Sequence, residues 1–222
     1  NCKSEDERTR TDELIRPILR GRDIKRYSYE FADLYLITTF PSLKIDIEQY
    51  PAVKQHLLSF GYDRLKQTGD KGSRKKTNNK WFETQDSISY WDDFYKPKIV
   101  YSEIVREPQF YLDNTGRFFP EATTFLLIGD SLEYLYILLH SQPLTYFFKT
   151  FYAGGGLGES GYRYKKAFLE KLPIPKFTNT SIQNELIKLI NEKPNLKNDN
   201  INKLIYQLYG LNKIEILKIE GD

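Results

Sequence analysis

The residues whose types and spacing suit catalysis are few in this chain. Asp23 and Lys25 form an Asp-x-Lys fragment like half of a metal-nuclease motif, but metal-assisted cleavage of a phosphodiester needs several carboxylates around one cation. The sequence assigns no partner carboxylate, so an ion pair between Asp23 and a nearby arginine is the better interpretation. His56 and His140 have no Cys, His or acidic pair at ligand spacing. We therefore predict no catalytic residue and no metal ligand.

A glycine-rich stretch, Gly156-Leu-Gly158-Glu-Ser-Gly161, formally matches the phosphate-binding pattern G-x-G-x-x-G. Its context does not fit a dinucleotide site, because it follows an aromatic helical stretch and no acidic residue lies about 20 residues later. Glycines permit unusual backbone angles and the close approach of another backbone. Since Arg163, Lys165 and Lys166 follow, a phosphate contact and a packing turn are equally good interpretations.

The composition is that of a soluble globular protein, with 222 residues of which 40% are hydrophobic and 28% charged. No apolar stretch approaches the roughly 18 residues of a membrane-spanning helix, and the charged N-terminus lacks the apolar part of a signal peptide. Cys2 is the one cysteine, which excludes an internal disulfide bond and fits a reducing cytoplasm. There is no methionine, not even at position 1, and we interpret the chain as a segment of a longer protein.

Positive charge is concentrated in three segments although the net charge of the chain is only +3. The N-terminal basic segment, residues 16–26, carries +4; the central one, residues 64–80, carries +6; the C-terminal one, residues 162–171, carries +3. Together they carry +13, so the other residues carry −10. A cationic face on an otherwise acidic surface is typical of proteins that bind polyanions. Separate solvated patches are the alternative, because clustering in sequence need not become clustering in space.

Hydrophobic periodicity and turn residues predict the elements that position these segments. A strand is predicted at Ala32–Phe40, and a helix at Ile47–Leu65 with Pro51 in its first turn. Further strands are predicted at Lys98–Ile104, Gln109–Asp113 and Thr123–Ile128, with Asn114–Gly116 as a hairpin turn between the last two. Further helices are predicted at Leu132–Leu139, Pro143–Phe151, Tyr164–Lys171, Asn184–Asn191, Ile201–Leu208 and Lys213–Ile219.

These elements predict an α+β fold, a mixed and largely antiparallel sheet flanked by helices, with a helical C-terminal subdomain. Residues 1–13 are polar and are predicted to be disordered or a linker. Residues 14–177 would form the main domain, and a composition shift indicates a helical appendage at 178–222. Gln67–Asn79 contains no large apolar side chain and is predicted to be a mobile loop.

Four stretches, in this order, resemble one known family. Arg16–Tyr27 (RPILRGRDIKRY) is similar to the opening motif of the TaqI-like C-terminal specificity domain, and Trp81–Glu83 with Lys96–Tyr101 (KPKIVY) is similar to its central segment. Tyr162–Pro175 resembles the closing segment, which ends in Leu-Pro-Ile-Pro, and Ile201–Ile219 resembles the helical tail of such enzymes. The domain follows the methyltransferase domain in type IIG restriction-modification enzymes and related adenine-specific DNA methyltransferases.

The resemblance implies a target recognition domain of a bacterial, cytoplasmic enzyme. Its partners would be double-stranded DNA and the parent's own methyltransferase domain, with no membrane. S-adenosylmethionine, and Mg²⁺ where the parent cleaves DNA, would be cofactors of the parent and not of this fragment. The chain has no Asp/Asn-Pro-Pro-Tyr/Phe motif, which holds the flipped adenine in amino-methyltransferases, so the fragment is predicted to be non-catalytic.

The predicted DNA contacts all lie in the three basic segments, where Lys and Arg side chains would contact phosphates and set the register. In the central segment, Arg74, Lys75 and Lys76 can donate to guanine, and Asn78 or Asn79 can pair with adenine. A loop that touches phosphate alone is the competing interpretation. The predicted set is Arg20, Arg22, Lys25, Arg26, Lys71, Arg74, Lys75, Lys76, Asn78, Asn79, Lys80, Arg163, Lys165 and Lys166.

Three alternatives are carried forward. Trp81, Tyr90 and Trp91 either stack on an exposed base or, as is commoner for aromatic residues, belong to the core. A metal-dependent nuclease would use Asp23, Lys25 and carboxylates not assigned by the sequence. A protein-interaction module of a restriction-modification complex would dock a partner subunit on the terminal helices, with the basic loops as solubilising surface.

Overall fold

The computed structural model describes residues 2–152, 161–192 and 199–221, and the chain divides into two compact units. The first unit comprises Asn1–Ile18, Asp33–Phe94 and Arg117–Phe119, and the second comprises Leu19–Ala32, Tyr95–Gly116 and Pro120–Asp222. The described helices are α1 (Glu5–Leu14), α2 (Pro51–Leu58), α3 (Tyr62–Leu65), α4 (Leu132–Leu139), α5 (Gln142–Tyr152), α6 (Lys166–Leu169), α7 (Ser181–Glu192), α8 (Asp199–Leu208) and α9 (Lys213–Glu220). The described strands are β1 (Ile15–Leu19), β2 (Ile24–Lys25), β3 (Ser28–Tyr29), β4 (Tyr35–Ile37), β5 (Lys98–Ser102), β6 (Ile104–Val105), β7 (Phe110–Asp113), β8 (Phe119–Pro120), β9 (Thr124–Leu127) and β10 (Tyr162–Arg163).

The first unit has a small apolar core beside a pair of antiparallel strands. β1 and β4 pair with Ile15 opposite Ile37, so the strand predicted at Ala32–Phe40 is present but shorter. The buried cluster of this unit is formed by Leu14, Ile45, Ile47, Val53 and Phe82. Because this apolar cluster is small, the longer loops of the unit are held mainly by hydrogen bonds from polar side chains.

The helix predicted at Ile47–Leu65 is divided into three pieces. A short 3-10 turn at Ile47–Gln49 precedes α2, and α3 follows a break. Pro51 stands in the first turn of α2 as predicted, where its missing N–H removes no helical hydrogen bond. Gly61 has a φ of +93°, and this left-handed backbone cannot continue a right-handed helix, so the chain turns before α3.

The structure differs from the sequence prediction at residues 1–13, where it has a helix instead of a disordered segment or linker. Ser4 caps α1 by accepting a hydrogen bond from the N–H of Glu7 at 3.1 Å. The buried carboxylate of Glu7 accepts from the N–H of Ala52 at 2.9 Å and from that of Lys3 at 2.8 Å. These two backbone donors lower the pKa of Glu7. The composition did not predict this helix, because the hydrogen bonds that hold it against the rest of the unit are made by a charged side chain, that of Glu7.

The main sheet of the second unit has the order β7–β5–β9, and both pairings are antiparallel. The three predicted strands are present, but the predicted hairpin is wrong, because β7 and β9 each pair with β5 and not with each other. Asn114–Gly116 still turns the chain: Gly116 has a φ of +65°, and a Cβ there would collide with the carbonyl of Tyr95. The turn therefore serves a backbone contact rather than strand pairing.

A buried ion pair joins β5 to β7 in this sheet. Lys98 and Asp113 are directly opposite in the register, and Nζ of Lys98 lies 2.9 Å from Oδ2 of Asp113. Their side chains are 0% and 1% exposed. Burial lowers the pKa of Lys98, whereas the carboxylate favours the charged form, so each group depends on the other.

Helices from the C-terminal part complete the core of the second unit. The predicted appendage at 178–222 contains α7, α8 and α9, and buried residues of α7 and α8 belong to one cluster with α4: Leu138, Leu186, Ile190, Ile201 and Ile205. His140, at the end of α4, is packed against Phe110 and Tyr136. Burial lowers the pKa of His140 to about 3, so its ring is a neutral structural group.

The α+β class predicted from the sequence is confirmed. Helices are combined with small sheets, and the registers of β1–β4, β2–β3, β5–β7, β5–β9 and β6–β10 are all antiparallel. Within the described ranges, no helix has both the length and the apolar character needed to cross a bilayer.

Candidate nucleic-acid interface

The N-terminal basic segment contains a tight turn that an ion pair locks. Gly21–Asp23 is a 3-10 turn, and Nε and Nη2 of Arg20 donate to the two carboxylate oxygens of Asp23, each at 2.8 Å. The hydrogen bonds from Arg20 lower the pKa of Asp23, which keeps this carboxylate charged. Both oxygens are thus engaged, and the described residues contain no group of three His, Cys, Asp or Glu that can hold a metal ion.

Gly21 sets the turn directly against the sheet of the second unit. A Cβ at this position would lie 2.7 Å from Oγ of Ser102 and 3.2 Å from the carbonyl oxygen of Thr123. The N–H of Gly21 also donates to Oγ1 of Thr123 at 3.3 Å. The next residue, Arg22, is exposed, and its guanidinium makes no hydrogen bond or ion pair to the described part of the chain. The turn therefore exposes one arginine side chain on a backbone that is held in place by its contacts with the sheet.

The C-terminal basic segment reaches the same part of the second unit. β10 pairs with β6, and Arg163 is opposite Ile104. Nε of Arg163 lies 3.4 Å from Oε1 of Glu103. Gly161 has a φ of +137°, and a Cβ there would lie 2.6 Å from the carbonyl oxygen of Val105, so this glycine is a packing turn. The rest of the glycine-rich stretch, residues 156–160, lies outside the described residues.

A cleft of about 440 Å³ has Arg22 of the N-terminal segment in its lining, and it is also lined by Glu103 and Ile104, the two residues that contact Arg163 of the C-terminal segment. Its lining includes Arg22, Glu103, Ile104, Gln109 and Phe125. The side chains of Ile104 and Phe125 are 51% and 41% exposed, which is unusual for large apolar groups in a cleft. The second unit thus has one basic segment in the lining of a cleft and a second one paired with a residue of that lining.

The central basic segment lies in the first unit and is folded by hydrogen bonds. The N–H of Gly69 donates to the carbonyl of Arg74, and the N–H of Arg74 donates to the carbonyl of Lys66. The buried amide of Gln67 donates to the carbonyls of Lys80 and Glu83, at 3.0 and 2.7 Å. The sequence predicted a mobile loop here because the segment lacks apolar residues, but polar side chains organise it instead.

Several predicted contact residues of this loop are engaged within the first unit. Arg74 donates to the carbonyl of Glu83 at 2.9 Å, and Lys75 pairs with Asp86 at 2.5 Å. Asn79 donates to two backbone carbonyls, and Lys80 donates to the carbonyl of Ile45 at 3.3 Å. Among the predicted contact residues of this loop, those that are exposed and make no hydrogen bond or ion pair to another described residue are Lys71, Lys76 and Asn78.

The other predicted contact residues belong to the second unit and have weaker ties. Lys25 lies 3.2 Å from the carboxylate of Glu30, and Arg26 lies 3.3 Å from that of Glu107. The ammonium of Lys165 lies over the ring of Phe168, and Lys166 is 3.6 Å from Glu170. Arg26 also donates to the hydroxyl of Tyr27 at 2.8 Å, and Lys25 to the carbonyl of Arg22 at 3.1 Å. The exposed pair of Lys166 and Glu170 contributes little and can be exchanged for contacts with a polyanion. That all three basic segments form one face stays a prediction.

The aromatic residues named from the sequence differ in how far they are buried. Trp81 is half-buried and packs against the core of the first unit, whereas Tyr90 is 58% exposed. Sequence reasoning missed Tyr62, which is 53% exposed with its ring centroid 5.9 Å from that of Trp81. It also missed Gln109 and Phe125, whose membership of the cleft depends on strand order and has no local signal.

Comparison with known proteins gives a family and a fold. The family model described as the TaqI-like C-terminal specificity domain matches residues 16–174. Among solved structures, the type IIG restriction endonuclease BpuSI is similar, with a TM-score of 0.58 and 12% sequence identity. That match covers 95% of this chain and 25% of the enzyme, so the chain spans about a quarter of its length. No curated protein matches significantly.

Proposed function

The chain belongs to the TaqI-like C-terminal specificity domain family, and we propose that it recognises a specific sequence in double-stranded DNA. The observation that carries the proposal is a cleft of the second unit that is lined by Arg22 of the N-terminal basic segment and by Glu103, the partner of Arg163 in the C-terminal basic segment. Arg22 is exposed there and makes no hydrogen bond or ion pair to a described residue, and Arg163 lies 3.4 Å from Glu103, which lines the same cleft. A specificity domain needs cationic groups for phosphates and fixed donors for base edges.

The parent protein in this proposal is a type IIG-like restriction enzyme and N6-adenine DNA methyltransferase. The family's description as a specificity domain and the fold shared with part of BpuSI support this assignment. Methyl transfer from S-adenosylmethionine, and any Mg²⁺-dependent cleavage, would reside in other domains of a bacterial cytoplasmic enzyme. The target base would be flipped towards that methyltransferase domain, which would be the second partner of this chain.

The salt dependence of DNA binding tests the proposal. The full chain is titrated against a fluorescent duplex at salt concentrations from about 50 mM to about 200 mM, and the logarithm of affinity should fall linearly with the logarithm of salt. Replacing Lys71 and Lys76 together with Ala should weaken binding and flatten the slope by about two, because each phosphate contact contributes about one. Lys188→Ala on α7, an exposed lysine outside the basic segments, is the matched control and should change neither quantity.

No binding of the wild-type chain at about 50 mM salt would contradict the proposal, because phosphate attraction is then strong. An unchanged slope in the double variant would remove the central loop from the interface.

The chain alone should neither methylate nor cut duplex DNA. Asp23 is held by Arg20, so its oxygens are not available to gather a catalytic cation with other carboxylates. The measurement is turnover of a plasmid with S-adenosylmethionine, and separately with Mg²⁺. Product in either reaction would favour the nuclease or methyltransferase alternative over a recognition domain.

A further inference from the structure

We propose that the cleft of the second unit reads base edges in the major groove, and that Arg22 and Gln109 are its specificity-determining residues. This inference rests on the proposed DNA-binding function and assigns base readout within it. The sequence had placed base readout in the loop Gln67–Asn79. The structure points elsewhere because, among the described residues, Arg74 and Asn79, two of the three bidentate candidates of that loop, are engaged and leave Asn78 alone with a free amide, whereas the cleft has both a free arginine fork and a free amide.

The first argument concerns which side chains have donors and acceptors to offer. A bidentate contact to guanine uses an arginine fork, and one to adenine uses the amide of Asn or Gln. In the loop, the guanidinium of Arg74 and the amide of Asn79 already donate to backbone carbonyls. In the cleft, the guanidinium of Arg22 and the amide of Gln109 make no hydrogen bond to any described residue.

The second argument concerns charge. Glu103 lines the cleft with a half-buried carboxylate that Arg163 balances at 3.4 Å. The hydrogen bonds from Thr123 lower the pKa of Glu121, and the nearby charges of Arg20 and then Arg22 lower it further. A phosphate placed in this cleft would face the carboxylate of Glu103, whereas a base edge would not be repelled. The cleft therefore favours bases over backbone, and Glu103 can itself accept from cytosine N4.

The third argument concerns the exposed apolar side chains. Ile104 and Phe125 offer nothing to a phosphate, but a thymine 5-methyl group is a suitable apolar contact. Phe125 is fixed, because its ring stacks on buried Tyr101 with centroids 5.6 Å apart and an interplanar angle of 26°. Burial of these two groups against base pairs would remove apolar surface that is otherwise left in water.

The fourth argument concerns rigidity. Arg22 stands beside Gly21, whose backbone is wedged between Ser102 and Thr123. Gln109 directly precedes β7, and Phe125 lies on β9, so both flank strands that pair with β5. Side chains that read bases must be held to within a fraction of an ångström, and positions on or beside strands provide this better than loops.

The experiment selects preferred duplexes from a library with a randomised central segment, using the full chain. The wild type should enrich a defined sequence. Arg22→Lys keeps the charge but not the fork, and it should lose the preference at one or two positions, as should Gln109→Leu. Affinity of each variant for the selected duplex should fall by about 5- to 150-fold, which is the value of one bidentate contact, while affinity for a scrambled duplex stays the same.

The double variant Lys71→Ala/Lys76→Ala is the control, and it should weaken binding to selected and scrambled duplexes equally. If Arg22→Lys and Gln109→Leu both retain the wild-type preference at every position, or weaken both duplexes equally, the inference is overturned although DNA binding stands. If the wild type binds duplexes but enriches no sequence, specific readout is overturned with it. If the wild type binds no duplex, the proposed function fails first and the inference with it. Circular dichroism of each variant verifies that it is folded.

Discussion

The two units of this chain hold their polar side chains in opposite ways. In the second unit, a large apolar and aromatic core carries the strands, and the pair Lys98–Asp113 is sealed inside the sheet. In the first unit, the apolar cluster is small, and buried Glu7, Gln67 and Glu83 hydrogen-bond to backbone groups of neighbouring segments. The second unit is thus shaped by packing, and the loops of the first by a few polar side chains.

In the proposed DNA-binding function, this difference suits the two units to different kinds of contact. Side chains fixed by packed strands suit the reading of bases, because such contacts tolerate little displacement. Long lysine side chains on a hydrogen-bonded loop suit phosphates, which attract charge over a wider range of geometries. Substitutions in the buried Lys98–Asp113 pair of the second unit should therefore change stability differently from substitutions that remove polar hydrogen bonds of the first unit.

The largest expected effect follows from Asp113→Ala. This substitution leaves the buried ammonium of Lys98 without its carboxylate, and breaking a buried pair in this way lowers the free energy of unfolding by about 3–5 kcal/mol. Helices α4 to α9 all belong to the second unit. The loss should therefore appear as an earlier transition in circular dichroism during urea denaturation.

The double variant Lys98→Met/Asp113→Leu is the control for this prediction. It replaces the pair by apolar groups, so most of the lost stability should return. Equal destabilisation by the single and double variants would mean that the pair matters for its shape and not for its charges.

An intermediate effect is expected for Gln67→Leu in the first unit. Leucine has a similar volume but cannot donate to the carbonyls of Lys80 and Glu83 or accept from the hydroxyl of Thr77. Unsatisfied buried groups should lower the free energy of unfolding by about 1–3 kcal/mol. Trp81 and Trp91 both lie in this unit, so their fluorescence measures the change.

Limited trypsin digestion adds a local measurement, since Lys71 and Lys76 are exposed in the same loop. Cleavage there should be faster in Gln67→Leu than in the wild type. Asn78→Ala removes an exposed loop side chain without a described partner and should leave stability within about 0.5 kcal/mol. Equal cleavage of Gln67→Leu and the wild type would show that Gln67 does not organise the loop.

Local rules predicted much of the fold, and the failures have physical reasons. Pro51 marked the start of α2, and apolar runs marked β5, β7 and β9, because these signals lie within a few residues. The order β7–β5–β9 was not predictable from the Asn114–Gly116 turn, since pairing with β5 depends on contacts distant in sequence. Helix α1 was missed because the buried carboxylate of Glu7 holds it in place by accepting hydrogen bonds from backbone N–H groups. Such a polar contact leaves no hydrophobic pattern in the sequence.

The candidate site was predictable in part for similar reasons. Charge clustering placed Arg22 and Arg163 among the predicted DNA contacts, because cationic segments are visible in sequence, and these contacts stay a prediction. Gln109 and Phe125 were missed because one precedes a strand and the other lies on one, and only the strand order of the fold places them in a cleft. Gln67–Asn79 was expected to lack order, since apolar content is the usual predictor of folding, whereas its order comes from the buried amide of Gln67.

The smallest expected effect is a pH dependence of the first unit through Glu7. Backbone donors of Lys3 and Ala52 hold its pKa below the ordinary value of 4.5, so the folded state binds this proton less readily than the unfolded state. The contribution is therefore fully present above the unfolded pKa and is lost as pH falls through the folded one. Glu7→Gln removes this titration, so the difference in melting temperature between wild type and variant should shrink on acidification from about pH 7 to about pH 3. Tryptophan fluorescence follows the melts.

Glu13→Gln, an exposed change on the same helix, is the control. If the difference between wild type and Glu7→Gln stays constant over this pH range, Glu7 stabilises the first unit through its shape and not through its negative charge.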